Sequence, residues 1–198
     1  MMNVVLRIFA LAGIICLSPL IFLASILVFI EDGLPIFFIQ NRVGKDEKLF
    51  KLFKIRTMKN KTPNLGTHEV NIKHFLNTGK ILRNLKIDEL PQIINYLMGD
   101  INLVGPRPCL PNQEKLLNFR KENNVFTQKP GITGLGQILG FDMSNPELLS
   151  KIDRLYINER TNLLDFKILI ATFIKHYRKN IYNQFKEPIK SIKEKSNV

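Results

Sequence analysis

Cysteine is almost absent from this chain, and the two that occur, Cys16 and Cys109, cannot organise it. Cys16 sits inside a long apolar run and Cys109 far outside it, which argues against a disulfide. No cysteine spacing suits a metal, and a reducing compartment is the simple reading. The three histidines, His68, His74 and His176, are scattered and read as surface residues rather than ligands. Also missing are a P-loop, a G-x-S-x-G nucleophile elbow and a zinc motif. A bound nucleotide must therefore be held without those devices. Acidic residues are few, 17 Asp and Glu against 29 Lys and Arg, for a formal net charge of +12. Such a chain favours anionic partners: nucleic acid, anionic lipid or phosphorylated small molecules. A recognition helix and an aromatic-basic RNA motif are both lacking, and the charge is spread rather than clustered, so nucleic acid is not expected. There is no internal repeat.

What is present begins with hydrophobicity. At 198 residues and 45% hydrophobic, the chain suits one compact domain, or one domain plus an anchor. From Ile8 to Ile30 no residue is charged. A helix over Val4 to Ile30 would be roughly 35 Å long, enough to cross a hydrocarbon core of about 30 Å. A cleaved signal peptide fits less well, because Glu31-Asp32-Gly33-Leu34-Pro35 follows where a small-residue cleavage site should stand. Ser18-Pro19 lies near the middle. Proline removes a backbone donor and disrupts the preceding turn, and the serine hydroxyl can serve a freed carbonyl. A kinked single span and a re-entrant hairpin both satisfy these residues. Only Arg7 among the basic residues lies before or within the run, so the body belongs on the cytoplasmic side.

Downstream, PIFFIQNRVGKDEKLFKLFKIRTM reads as a β-hairpin turning at Gly44-Lys45-Asp46. Lys59 to Asn71 is a polar loop with Pro63 and Gly66 as breakers. A helix over Phe75 to Leu85 follows, then another from about Asp88, with Pro91 in its first turn, to near Gly99. LVGPRPCLP (103–111) is rigid and turn-rich. KPGITGLGQILG (129–140) carries four glycines that permit close backbone approach to a ligand. Helices are expected over Pro146 to Glu159 and Asp165 to Tyr177, the latter able to pack on a core or lie in a membrane interface. The lysine-rich end reads as disordered. The sum is an α/β chain of the α+β kind, mostly helical. Its parts are a membrane segment over 1–32, a body over 33–180 and a basic tail over 181–198.

Asp88 and Glu89 are the candidate chemical pair. Adjacent helical residues point about 100° apart, so they do not form a dyad on one face, but both can address a site at a helix start. There the helix dipole keeps a carboxylate ionised and fit for nucleophilic use. The plainer alternative is an N-cap with an acidic first turn. Lys54, Arg56, Arg83 and Arg107 supply cations, and arginine's planar fork suits phosphate. Arg107 stands between two prolines, which stiffen its backbone; scattered surface charge is the alternative for each.

Taken together, the apolar segment with Ser18-Pro19, FKIRTM (53–58), R-x-x-x-x-DELPQ-x-x-N (83–95), MGD-x-x-LVGPRP (98–108) and KPGITGL-x-Q (129–137) resemble the bacterial sugar transferase family of monotopic phosphoglycosyl transferases. The likeness runs from about Val4 to Tyr177, and is to the short members without extra N-terminal spans. It implies a re-entrant membrane helix broken at Ser18-Pro19, with a catalytic body at the cytoplasmic face of the bacterial inner membrane. It implies transfer of a sugar 1-phosphate from a UDP-sugar to a polyprenol (undecaprenyl) phosphate, opening assembly of a polysaccharide, O-antigen or glycoprotein glycan. Asp88 falls on the family nucleophile and Glu89 on its partner, with Mg2+ held beside both. Arg83 and Arg107 fall on the arginines of the motifs, and Lys54, Arg56 and Gln92 are added as substrate-binding candidates. Membrane lipid is an expected partner, and a homodimer stays open. Many members carry V-x-G-R after the GL-x-Q motif. Here Ile138-Leu139-Gly140-Phe141-Asp142 stands instead, so the sugar is not transferable from a relative. The following stretch, Asp142 to Pro146, is the candidate for choosing it.

Overall fold

A computed structural model describes residues 4–60, 62 and 70–196. Most of the polar loop, with Pro63, Gly66 and His68, lies outside the described residues. The chain forms two compact units, residues 1–41 with 51–99 and residues 42–50 with 100–198. The apolar helix belongs to the same unit as residues 51–99.

In the first unit, α1 (Val4–Asp32) is one helical element through Ser18-Pro19. The interruption suggested by the proline is therefore not a gap in helical backbone. Ser18 Oγ donates to the Ile15 carbonyl at 2.8 Å, within the turn that the proline loosens. α1 ends where Gly33 takes φ +64°, and the Gly33 N–H closes on the Phe29 carbonyl at 2.9 Å. α1 is long and apolar enough to cross a membrane. Of its described side chains, Ala24 and Val28, four apart, are buried with Ile55, Leu76 and Leu82. Ile15, Phe22, Phe29 and Ile30 stay more than half exposed. An exposed apolar surface of this kind fits a membrane-associated protein.

The hairpin pairs β1 (Phe37–Val43) with β2 (Leu49–Ile55). α2 (Asn77–Asn84) and α3 (Gln92–Met98) complete the first unit.

The second unit is built on two short parallel strands, β3 (Asn102–Val104) and β4 (Gly131–Thr133), with Asn102 opposite Gly131 and Val104 opposite Thr133. The glycines of the KPGITG segment were expected to admit a ligand. They admit backbone instead: a Cβ on Gly131 would stand 2.1 Å from the Gly105 nitrogen, and one on Gly134 2.1 Å from the Gly105 carbonyl oxygen. Around the strands lie α4 (Glu114–Glu122), α5 (Leu135–Leu139), α6 (Pro146–Glu159), α7 (Asn162–Phe173) and α8 (Lys175–Ser196). α6 starts where its composition says it should, with Pro146 at its first position and the Asn145 side chain accepting from the Leu148 N–H. The core joins Val104, Ile152, Tyr156, Ile168 and Ala171. The Tyr156 hydroxyl donates to Asp165. Burial pushes that hydroxyl up from its ordinary value, and the neighbouring carboxylate pushes the same way, so it remains a donor.

The lysine-rich segment is helical through Ser196. Ile181, Phe185 and Ile189 recur every four residues on α8 and are buried in the second core, so Lys179, Lys186, Lys190 and Lys193 occupy the outer face of an amphipathic helix. Phe185→Ala should lower stability by about 3–5 kcal/mol, whereas exposed Lys179→Ala should stay within about 0.5 kcal/mol. Thermal melts of the detergent-solubilised chain check this; equal melting of both variants would contradict the packing.

Candidate functional site

The first unit gathers Lys54, Arg56, Arg83, Asp88, Glu89 and Gln92; Arg107 belongs to the second. Lys54 lies near the end of β2, and Arg56 follows the strand directly. The Lys54 ammonium lies 2.9 Å from Glu89 Oε1, with side chains only 15% and 12% exposed. A pair so removed from water holds its geometry better than a surface ion pair does.

Two residues on, Arg56 faces elsewhere. Its guanidinium pairs with the Asp32 carboxylate and donates to the carbonyls of Asp32 (3.1 Å), Gly33 (2.7 Å) and Pro35 (2.6 Å). At 5% exposure it is a buried clamp on the end of α1. The sequence placed it among the phosphate binders. The carbonyls left open where a helix ends are the reason it is drawn away.

Arg83 lies in the last turn of α2. Its Nε donates to Thr57 Oγ1 at 2.7 Å, and its guanidinium carbon stands 4.7 Å from the Phe75 ring centroid. Thr57 thus orients the arginine, a role not seen in the sequence although the residue lies within FKIRTM.

The acidic pair does not open an α-helix. Lys86 takes a left-handed conformation, φ +59°, and Ile87–Glu89 form one 3-10 turn. Pro91 has no N–H to offer the Ile87 carbonyl, which instead takes the Leu90 N–H at 3.2 Å, and α3 begins only at Gln92. The helix-dipole argument for Asp88 is correspondingly weakened. Asp88 is 5% exposed, a degree of burial that a carboxylate seldom has without a function or a built partner network. A left-handed non-glycine residue two positions before it is the kind of local strain found at working sites.

Gln92 is buried at the start of α3. One turn later Asn95, wholly buried, accepts from the Phe53 N–H at 3.0 Å and donates to the Lys51 carbonyl at 2.6 Å. This bolts α3 to β2 and so fixes the acidic turn relative to Lys54. Asn95 closes the DELPQ-x-x-N motif, and a buried amide on an apolar helix face was the available signal.

Among the described residues no group of three or more His, Cys, Asp or Glu side chains could hold a metal. Two carboxylates in one turn nevertheless suit Mg2+, which keeps most of its waters and takes one or two carboxylates together with substrate phosphates. Two carboxylate donors are fewer than an all-protein cage requires, so an ion held here would take its remaining ligands from water and phosphate.

The chain matches the bacterial sugar transferase family over residues 1–179. It is 38% identical over 157 residues to the uncharacterized sugar transferase EpsL of Bacillus subtilis (strain 168), covering 79% of this chain and 77% of EpsL. It is 33% identical over 181 residues to the UDP-glucose:undecaprenyl-phosphate glucose-1-phosphate transferase of Xanthomonas campestris pv. campestris, covering 85% of this chain and 37% of that enzyme. To the UDP-N-acetylgalactosamine-undecaprenyl-phosphate N-acetylgalactosaminephosphotransferase of Aeromonas hydrophila it is 31% identical over 172 residues, 82% of this chain and 40% of the relative. The chain therefore spans well under half the length of those two enzymes but most of EpsL. With its motifs, its apolar first helix and a match reaching from residue 1 to 179, this chain belongs to the bacterial sugar transferase family.

Proposed function

We propose that the protein transfers a sugar 1-phosphate from a UDP-sugar to undecaprenyl phosphate, with Asp88 as the nucleophile. The observation that carries this reading is the buried Asp88 beside a Glu89 locked to Lys54. The family relatives named for undecaprenyl-phosphate sugar phosphotransfer point the same way.

The chemistry has two balanced steps. An Asp88 carboxylate oxygen attacks the β-phosphorus of the UDP-sugar. The bond from that phosphorus to the bridging oxygen breaks, and UMP leaves with the oxygen and its electron pair. A phosphate oxygen of the lipid carrier then attacks the same phosphorus, releasing the Asp88 carboxylate and forming the lipid diphosphate sugar. Splitting the transfer replaces the direct encounter of donor diphosphate and carrier phosphate with two steps through a covalent intermediate. Charge repulsion is the main barrier that remains. Lys54 offsets the charge of Glu89, Arg83 supplies a fork held by Thr57 and Phe75, and Arg107 is assigned to the donor diphosphate. Asp88 and Glu89 would hold Mg2+, which neutralises phosphate charge when bound.

The exposed apolar face of α1 supports a seat at a membrane surface, where a lipid-bound phosphate and a soluble nucleotide sugar can meet. In this reading α1 is seated in the inner membrane, with Ser18-Pro19 as the point at which its helix bends, and the body faces the cytoplasm.

UMP release is measured with UDP-glucose, UDP-galactose, UDP-N-acetylglucosamine and UDP-N-acetylgalactosamine, each with undecaprenyl phosphate and Mg2+. Asp88→Asn should lower release by about 10⁴-fold or more, and should abolish release in the absence of the carrier. Near wild-type release by Asp88→Asn would eliminate it as nucleophile. Lys54→Met should lower kcat/KM by between about 10- and 1000-fold, with partial recovery in Lys54→Arg. Treatment with EDTA should stop turnover and added Mg2+ restore it; turnover that survives chelation would remove the metal from the scheme.

A further inference from the structure

The Pro-Arg-Pro segment contains two prolines and hence two residues without a backbone donor. It cannot close its own turns at those positions, and its carbonyls must find partners elsewhere. Four consecutive carbonyls do. Pro106 accepts from the Gly131 N–H at 2.9 Å, Arg107 from Arg120 Nη1 at 2.8 Å, Pro108 from Arg42 Nη1 at 3.0 Å, and Cys109 from the Val43 N–H at 3.0 Å. From Val104 to Leu110 every residue is buried except Arg107. Arg120 is 2% exposed, and its Nη2 lies 2.6 Å from Asp153 Oδ2, itself 3% exposed. These groups all belong to the second unit.

Two guanidinium groups are thus spent on adjacent carbonyls of the segment that carries Arg107, the one residue from Val104 to Leu110 that is only partly buried. A buried ion pair is a costly way to hold a loop if any anchor would serve, since apolar residues of like volume are often as stable. Holding a carbonyl in a set direction is what apolar residues cannot do. We propose that Arg42 and the Arg120–Asp153 pair are positioning residues that fix the backbone of Arg107, so that its fork meets the diphosphate of the nucleotide sugar in one orientation. The inference rests on the assignment of Arg107 to that diphosphate.

The test measures UDP binding in the presence of Mg2+, together with thermal melting, on the full detergent-solubilised chain. Arg107→Ala should weaken UDP binding. The paired replacement Arg120→Met with Asp153→Leu keeps the volume apolar and avoids stranding a charge. It should weaken UDP binding by between about 10- and 100-fold while the melting temperature stays within about 5 °C of the parent. Arg42→Met should act in the same direction and Arg42→Lys recover part of the loss. In the Arg107→Ala background none of these changes should weaken binding further.

If Arg107→Ala binds UDP as the parent does, the assignment of Arg107 fails and the proposal falls with it. If Arg107→Ala weakens binding but the paired replacement and Arg42→Met do not, the positioning role is overturned while the assignment stands. Full additivity with Arg107→Ala also overturns it. Should the paired replacement lose cooperative melting, the Arg42 variants decide the matter alone.

Discussion

The first unit depends on how the chain leaves α1. A 29-residue helix ends with carbonyls unsatisfied and partial negative charge accumulated at its tip. Arg56 meets that tip, donating to the Asp32, Gly33 and Pro35 carbonyls and pairing with the Asp32 carboxylate. One residue earlier, Glu31 accepts from the Asn77 and Thr78 N–H groups and from the Thr78 hydroxyl, so it caps α2 from another helix. The apolar helix is therefore joined by hydrogen bonds to the residue that follows β2 and to the start of α2, the helix that precedes the acidic turn. In the proposed reaction, which places the site at a bilayer surface, a rigid join of this kind holds the acidic turn relative to α1.

From that join, position passes through adjacent residues of one strand end. Lys54 reaches Glu89, Arg56 reaches α1, and Thr57 reaches Arg83. Asn95 ties the other side of the acidic turn to the β2 backbone. Each contact is a part-buried hydrogen bond, and such bonds are stronger and their loss more costly than at the open surface. In the proposed reaction this matters because anion meets anion. Cations held loosely would gain little over solvent, whereas cations held by a second set of bonds need no reorganisation as charge develops.

The candidate site was proposed from spacing and motif order, and the acidic pair, Arg83 five residues before it and Gln92 after it all occupy the first unit. Where the sequence reading failed, a local signal met a tertiary demand. Arg56 carries the right chemistry for phosphate, but unsatisfied carbonyls at a helix end claimed it. The glycines of KPGITG leave space, but Gly105 filled it. The lysine content of the last segment hid the four-residue recurrence of Ile181, Phe185 and Ile189, although that period was present to be read.

The amino-acid sequence by itself determined the apolar first helix, the hairpin, most helix positions and the family, because these follow from hydrophobic runs, turn residues and motifs that are local in the chain. Tertiary structure alone decided that Lys54 holds Glu89, that Arg56 clamps α1, and that Arg120 and Asp153, 33 residues apart, meet under Arg107. Those pairings depend on which donors and acceptors are left unsatisfied once the backbone has folded, and no spacing along a chain records that.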